Sequence, residues 1–285
     1  MPGEGLSNIQ IDGEKLLKVE DVLGMEKARA MASDLKVKSF GMLTNLLSRP
    51  KAEDIEIVYE EKRFEAFWRV VGSSRFEYKR RKRYNVPVEG VVQDVEVLGS
   101  VLNAAAHKSF ELEGVERCVE EYREESIVNA QNGEPGDFAK YLVLPNKQIA
   151  STDELTSDGT PIVALEAKPA FLVRKTVNAL IKPIQADQIL DEKIAITELA
   201  LYFVPVYTFE FLWKSKDKRA IIALDGATGL QRQQASKIAD KLRKSFTNDE
   251  LFEFGKEVAN FVPGGGLAMM VGKKAVQIYK DNREK

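Results

Sequence analysis

The clearest hydrophobic pattern lies late in the chain. From Leu199 to Trp213 almost every residue is apolar or aromatic, which predicts a strand buried on both faces. The polar run Lys214-Ser-Lys-Asp-Lys-Arg219 predicts a turn, and Ala220-Ile-Ile-Ala-Leu224 an antiparallel return strand. Upstream, Ile55, Ile57 and Tyr59 alternate with polar residues, and Phe64-Glu-Ala-Phe-Trp-Arg-Val-Val71 is aromatic and β-branched, as strands are. Other segments follow the helical period. Ala28, Met31, Ala32 and Leu35 form one stripe. Phe40, Leu43 and Leu47 form a second that Pro50 stops, and Phe171, Val177, Leu180 and Ile181 a third that Pro183 stops. Val115, Cys118, Val119 and Tyr122 share that spacing and predict a helix face on which Cys118 is a small buried hydrophobe. Towards the C-terminus, Ile238, Leu242 and Phe246 predict a helix. A capping box at Thr247-Asn-Asp-Glu250 opens another, and a last amphipathic helix with Leu267, Met270, Val271 and Ile278 follows the Pro263–Gly266 break.

Several fragments recur in order. Asn45-Leu-Leu-Ser-Arg-Pro-Lys-Ala-Glu-Asp54 is echoed by Asn178-Ala-Leu-Ile-Lys-Pro-Ile-Gln-Ala-Asp187. An aromatic follows Tyr59 and Tyr202 at the same interval, and Val128-Asn-Ala-Gln-Asn-Gly133 is echoed by Leu224-Asp-Gly-Ala-Thr-Gly229. Such recurrence predicts an internal duplication. The expected fold is α+β: two related helix-plus-antiparallel-strand modules, the first enlarged by an insertion, with N- and C-terminal helices. The corresponding divisions are an N-terminal helical segment over 1–35, a first module over 36–150, a second over 151–230 and C-terminal helices over 231–285. The Tyr-to-aromatic, hairpin and Asp/Asn-x-x-x-Gly pattern is similar to small helix-plus-hairpin modules of PepSY type. No function is carried over from them.

A length of 285 residues allows one large domain or two modest ones, and 44% hydrophobic with 30% charged residues is globular composition. One Cys and one His exclude an internal disulfide and a Cys/His zinc site within the chain. A Cys118–His107 dyad would need an orienting motif that the intervening sequence lacks. The formal charge of −2 gives no diffuse attraction for nucleic acid. Met1-Pro-Gly-Glu-Gly-Leu-Ser-Asn-Ile9 has no basic or apolar leader region, and no apolar run reaches membrane-span length, so a cytoplasmic setting is expected.

Three motifs bear on chemistry. Gly264-Gly-Gly-Leu-Ala-Met-Met-Val-Gly-Lys-Lys274 departs from a phosphate loop in its glycine spacing and in placing Lys274 at the Ser/Thr position. Acid pairs such as Glu53-Asp54, Asp187/Asp191 and Asp249-Glu250 have no catalytic or metal-binding spacing. The basic run Lys79, Arg80, Arg81, Lys82 and Arg83, flanked by Tyr78 and Tyr84, suits a polyanion, with the tyrosines available for base stacking. Read as a strand, it puts Phe76, Tyr78, Arg80, Lys82, Tyr84 and Val86 on one face and Glu77, Lys79, Arg81 and Arg83 on the other. The alternative is internal pairing with the Glu-rich stretch from Glu111 to Glu125. No catalytic, cofactor or metal residue is assigned. The expected function is that of a non-enzymatic binding or assembly protein acting through protein–protein contacts, a protein partner or self-association. The alternatives are a nucleic-acid- or polyanion-binding accessory protein and an enzyme with a carboxylate site.

Overall fold

The long apolar run becomes the central strand of one large mixed sheet. The computed structural model describes residues 10–11, 14–41 and 50–232. In chain order the strands are β1 (Gln10–Ile11), β2 (Glu14–Val19), β3 (Ile55–Pro87), β4 (Asp94–Val97), β5 (Ser100–Asn103), β6 (Ser109–Asn129), β7 (Asn146–Ile149), β8 (Gln188–Trp213) and β9 (Lys218–Asp225). Three α-helices are described, α1 (Met25–Leu35), α2 (Asp153–Thr156) and α3 (Pro169–Leu180). None is long and apolar enough to cross a membrane.

The sheet order is β6-β3-β8-β2-β7. β3 pairs antiparallel with β8 from Ile55↔Trp213 to Lys79↔Gln188. The other edge of β8 is shared by β1 and β2, which run parallel to it, and by β9, which runs antiparallel. Neighbours on both edges and cover on both faces explain why this segment had to be apolar throughout. The predicted β8–β9 hairpin is present, with its turn at Lys214–Asp217.

Alternation along β8 sets the two cores. Leu199, Leu201, Phe203, Tyr207, Phe209 and Phe211 point to one face, which α1 and α3 cover. Ala28 and Ala32, both predicted inward, let α1 lie close to the sheet. α3 brings Leu172, Val173, Val177 and Leu180 onto Phe64, Trp68, Val70 and Ile196. A methyl at Gly72 would stand 2.7 Å from Leu180 Cδ1, so the absent side chain permits this approach. On the opposite face Phe67 stacks on Tyr202 at 4.8 Å and on Phe138 at 5.1 Å.

These findings overturn the expected α+β fold of two helix-plus-strand modules. About half of the structure is strand and about a fifth helical, and the strands assigned to the two modules belong to one sheet. The aligned tyrosines are not equivalent: Tyr59 is 41% exposed beside Glu210, whereas Tyr202 is 6% exposed opposite Phe67. The recurrence seen here is local. Asn129 and Asp225 each cap an amide two residues on, and Gly133 and Gly229 follow at φ 74° and 71°. Asx side chains and permissive glycines produce that turn wherever they meet.

The helical reading of Val115–Tyr122 also fails. The segment is part of β6, with Val115 and Val119 exposed on one face and Cys118 and Tyr122 turned towards the core on the other. Phe40 ends a short 3-10 turn, while most of its predicted stripe lies outside the described residues. So do the expected C-terminal helices and the glycine-rich stretch from Gly264 to Lys274.

Candidate interaction surface

β3 and β6 outrun the rest of the sheet. β8 starts opposite Lys79, where Asp187 donates its amide to the Lys79 carbonyl and accepts the Arg81 amide on its carboxylate. Beyond that point, among the described residues, β3 and β6 pair only with each other, for eight registers from Arg80↔Glu116 to Pro87↔Ser109. At roughly 3.3 Å per residue this two-stranded arm is about 27 Å long. The separate β4–β5 hairpin forms its tip.

A bare two-stranded ribbon is marginal in water, and side chains hold this one together. Alternation places Tyr78, Arg80, Lys82 and Tyr84 on one face, as the strand reading expected. Glu116, directly opposite Arg80, accepts Arg80 Nε at 2.5 Å, Lys82 Nζ lies 3.4 Å from it, and Tyr84 donates its hydroxyl to it. The Tyr84 and Arg80 hydrogen bonds hold the Glu116 carboxyl down at about 2. Tyr78 and Tyr122 both donate to Glu120, and the Glu120 bond pushes the Tyr78 phenol up to about 12. On the other face Arg83 pairs with Glu113 at 2.9 Å, Arg117 with Glu77, and Arg75 with Glu77 and Glu121.

The basic run is therefore largely engaged within the arm. Arg80, Lys82 and Arg83 have carboxylate partners, whereas the side chains of Lys79 and Arg81 have none among the described residues. Tyr78 is 2% exposed and presents no ring face to a base. Tyr84 is partly exposed, with Lys82 Nζ 5.4 Å from its ring centre. Between Arg80 and Glu116 five cations stand against six carboxylates. Charge along the arm is balanced.

Chemistry that sequence reasoning missed sits at the tip. Val97 pairs with Ser100, leaving Leu98 and Gly99 as a two-residue loop with φ 51° and 79°. Both signs are those of a type I′ turn, which favours Asn, Asp or Gly. A leucine in this left-handed region costs on the order of 1–2 kcal/mol. Leu98 is nonetheless 99% exposed, and Val91 and Val101 nearby are exposed as well. The strain is thus not offset by any contact among the described residues. Gly99, between runs rich in valine, was the available hairpin signal. Glu89, Asp94 and Glu96 flank the tip without an ion-pair partner among the described residues. Nearer the body, Arg81, Lys82, Arg83, Glu113, Gly114 and Val115 line a cleft of about 460 Å³.

The remaining polar clusters are committed to the fold. Asp225 accepts the Ala227 and Thr228 amides at 3.1 Å each, the Tyr141 hydroxyl, and Arg232 Nη2 at 3.1 Å. Burial, chiefly, raises the Tyr141 phenol. Arg232 continues to Glu65, which pairs with the buried Arg63 at 2.7 Å. Asp21 similarly receives Tyr207, Lys62 and two amides. These carboxylates are occupied by structural donors. Among the described residues no three His, Cys, Asp or Glu side chains converge as metal ligands. His107 lies in the turn before β6, whereas Cys118 lies mid-strand opposite Tyr78, so they form no dyad. No protein-family model, curated protein or solved structure matches the chain.

Proposed function

We propose that this chain is a non-enzymatic binding or assembly protein whose arm makes a protein–protein contact. The observation that carries the reading is Leu98, a strained and fully exposed apolar side chain at the end of a projecting ribbon. Strained backbone positions cluster at functional sites, and apolar anchors seated in a partner's pocket dominate interface energies. A photo-crosslinking residue at position 98 tests this in source cells, with exposed Val143 on the body as control. Discrete protein adducts at 98, absent at 143, are the expected result. No adduct at 98 overturns the proposal.

The second reading, a polyanion site, rests on Lys79 and Arg81, whose side chains lack carboxylate partners among the described residues. It requires nucleic-acid binding that weakens steeply with salt and is lost in Arg81→Ser. The balanced charge of the arm favours the protein contact.

A further inference from the structure

The tip and root of the arm are chemically complementary, and we infer that the arm's partner is a second copy of this chain, bound so that each tip seats in the other's cleft. This deepens the protein-contact reading and rests on it. The tip offers Leu98 and Val101 with Glu89, Asp94 and Glu96 around them, carboxylates lacking ion-pair partners among the described residues. The cleft offers exposed Val115 beside Arg81, Arg83 and Glu113; Arg83 is paired with Glu113, and Lys82 with Glu116 on the other face, which leaves Arg81 as the guanidinium without a carboxylate among the described residues. Surplus negative charge with an apolar knob thus faces surplus positive charge with an apolar floor.

The two surfaces cannot meet within one chain. From Arg81↔Val115 to Pro87↔Ser109 the ribbon runs without a break in register. That separation is about 20 Å before the tip hairpin is added. A two-fold axis between antiparallel arms brings tip and cleft together twice, as a self-complementary contact requires. Edge-to-edge strand pairing is the less suited alternative, because β6 carries seven glutamates against two arginines along its open edge. A ribbon presents a modest area, so the dimer belongs to the weak, micromolar class.

Sedimentation velocity of the full chain, from low micromolar to near-millimolar concentration, tests this. The parent is expected to self-associate, more weakly at high salt. Asp94→Lys/Glu96→Lys and Arg81→Glu/Arg83→Glu should each be at least ten-fold weaker alone. Mixed in equal amounts they should recover the parent's association, since both contacts are again between opposite charges. Circular dichroism checks that each variant is folded, and Leu98→Ser supplies a variant that alters no charge and should also dissociate the dimer. A parent that stays monomeric, or folded charge variants whose mixture does not recover association, overturns the inference. If position 98 still crosslinks to a different protein while the parent is monomeric, only self-docking falls. If it crosslinks to nothing, the arm's role falls with it.

Discussion

Arg80 Nε stands 2.5 Å from the Glu116 carboxylate on the residue directly across the β3–β6 ladder. Arg80, the second cation of the basic run, is thus paired inside the arm it helps to stiffen. Glu116 gathers Arg80, Lys82 and Tyr84, and its removal should loosen the arm without touching the body. In Glu116→Gln, amide exchange over 80–87 and 109–116 should quicken at least ten-fold while the β3–β8 ladder stays unchanged. Hydrogen exchange with residue-level readout checks this.

The same carboxylate sets a pH dependence. Glu116 is held at about 2, below the ordinary carboxylate value near 4.3. A group depressed on folding contributes stability above its unfolded value and loses it as pH falls through the folded one. The arm should therefore keep its protection down to about pH 4 and lose it between there and about 2. A Glu116 side-chain titration followed by NMR should show that low midpoint, and one near 4.3 would contradict it.

Leu98 trades local strain for exposure. Leu98→Gly should relax the left-handed position, slow exchange within β4–β5 and leave the melting temperature no lower. If the arm binds through this residue, the same variant should bind at least ten-fold more weakly. Greater order with weaker binding separates a functional leucine from a tolerated one.

Gly72 is where α3 meets the sheet. Gly72→Ala puts a methyl 2.7 Å from Leu180 Cδ1 and should destabilise by about 1–3 kcal/mol in chemical denaturation. In Leu180→Ala the same change should cost less, because its obstacle is gone.

Asp225 anchors a buried network and closes the turn after β9. Asp225→Ala leaves Arg232 with Glu65 as its remaining carboxylate and takes the acceptor from the Tyr141 hydroxyl, and the loss should be about 1–3 kcal/mol. Asp225→Asn keeps the amide acceptor for Ala227 and Thr228 and should lose less.

What the sequence revealed follows from which signals are local. The β8–β9 hairpin was legible because a doubly covered strand must be apolar at every position. Ala28 and Ala32 were legible as part of an apolar stripe at helical spacing, of which Met31 is exposed. The alternation of the basic run was legible too, since strand parity alone decides it. β6 was not, because Val115, Cys118, Val119 and Tyr122 satisfy the helical spacing by coincidence and glutamates occupy both faces. The duplication misled because Asx–Gly turns, at Asn129–Gly133 and Asp225–Gly229, recur by local chemistry. Leu98 carried no signal of its own: its positive φ is imposed by the two-residue closure of β4 on β5.

β3 is one uninterrupted chain path of 33 residues that serves both arm and body. A pull on the tip along the ribbon axis reaches twenty-four paired positions on β8. Their hydrogen bonds lie across the strand direction, so tension strains them together in shear instead of peeling them one after another. An arm rooted this way is mechanically a tether, able to transmit force from whatever holds its tip into the centre of the sheet.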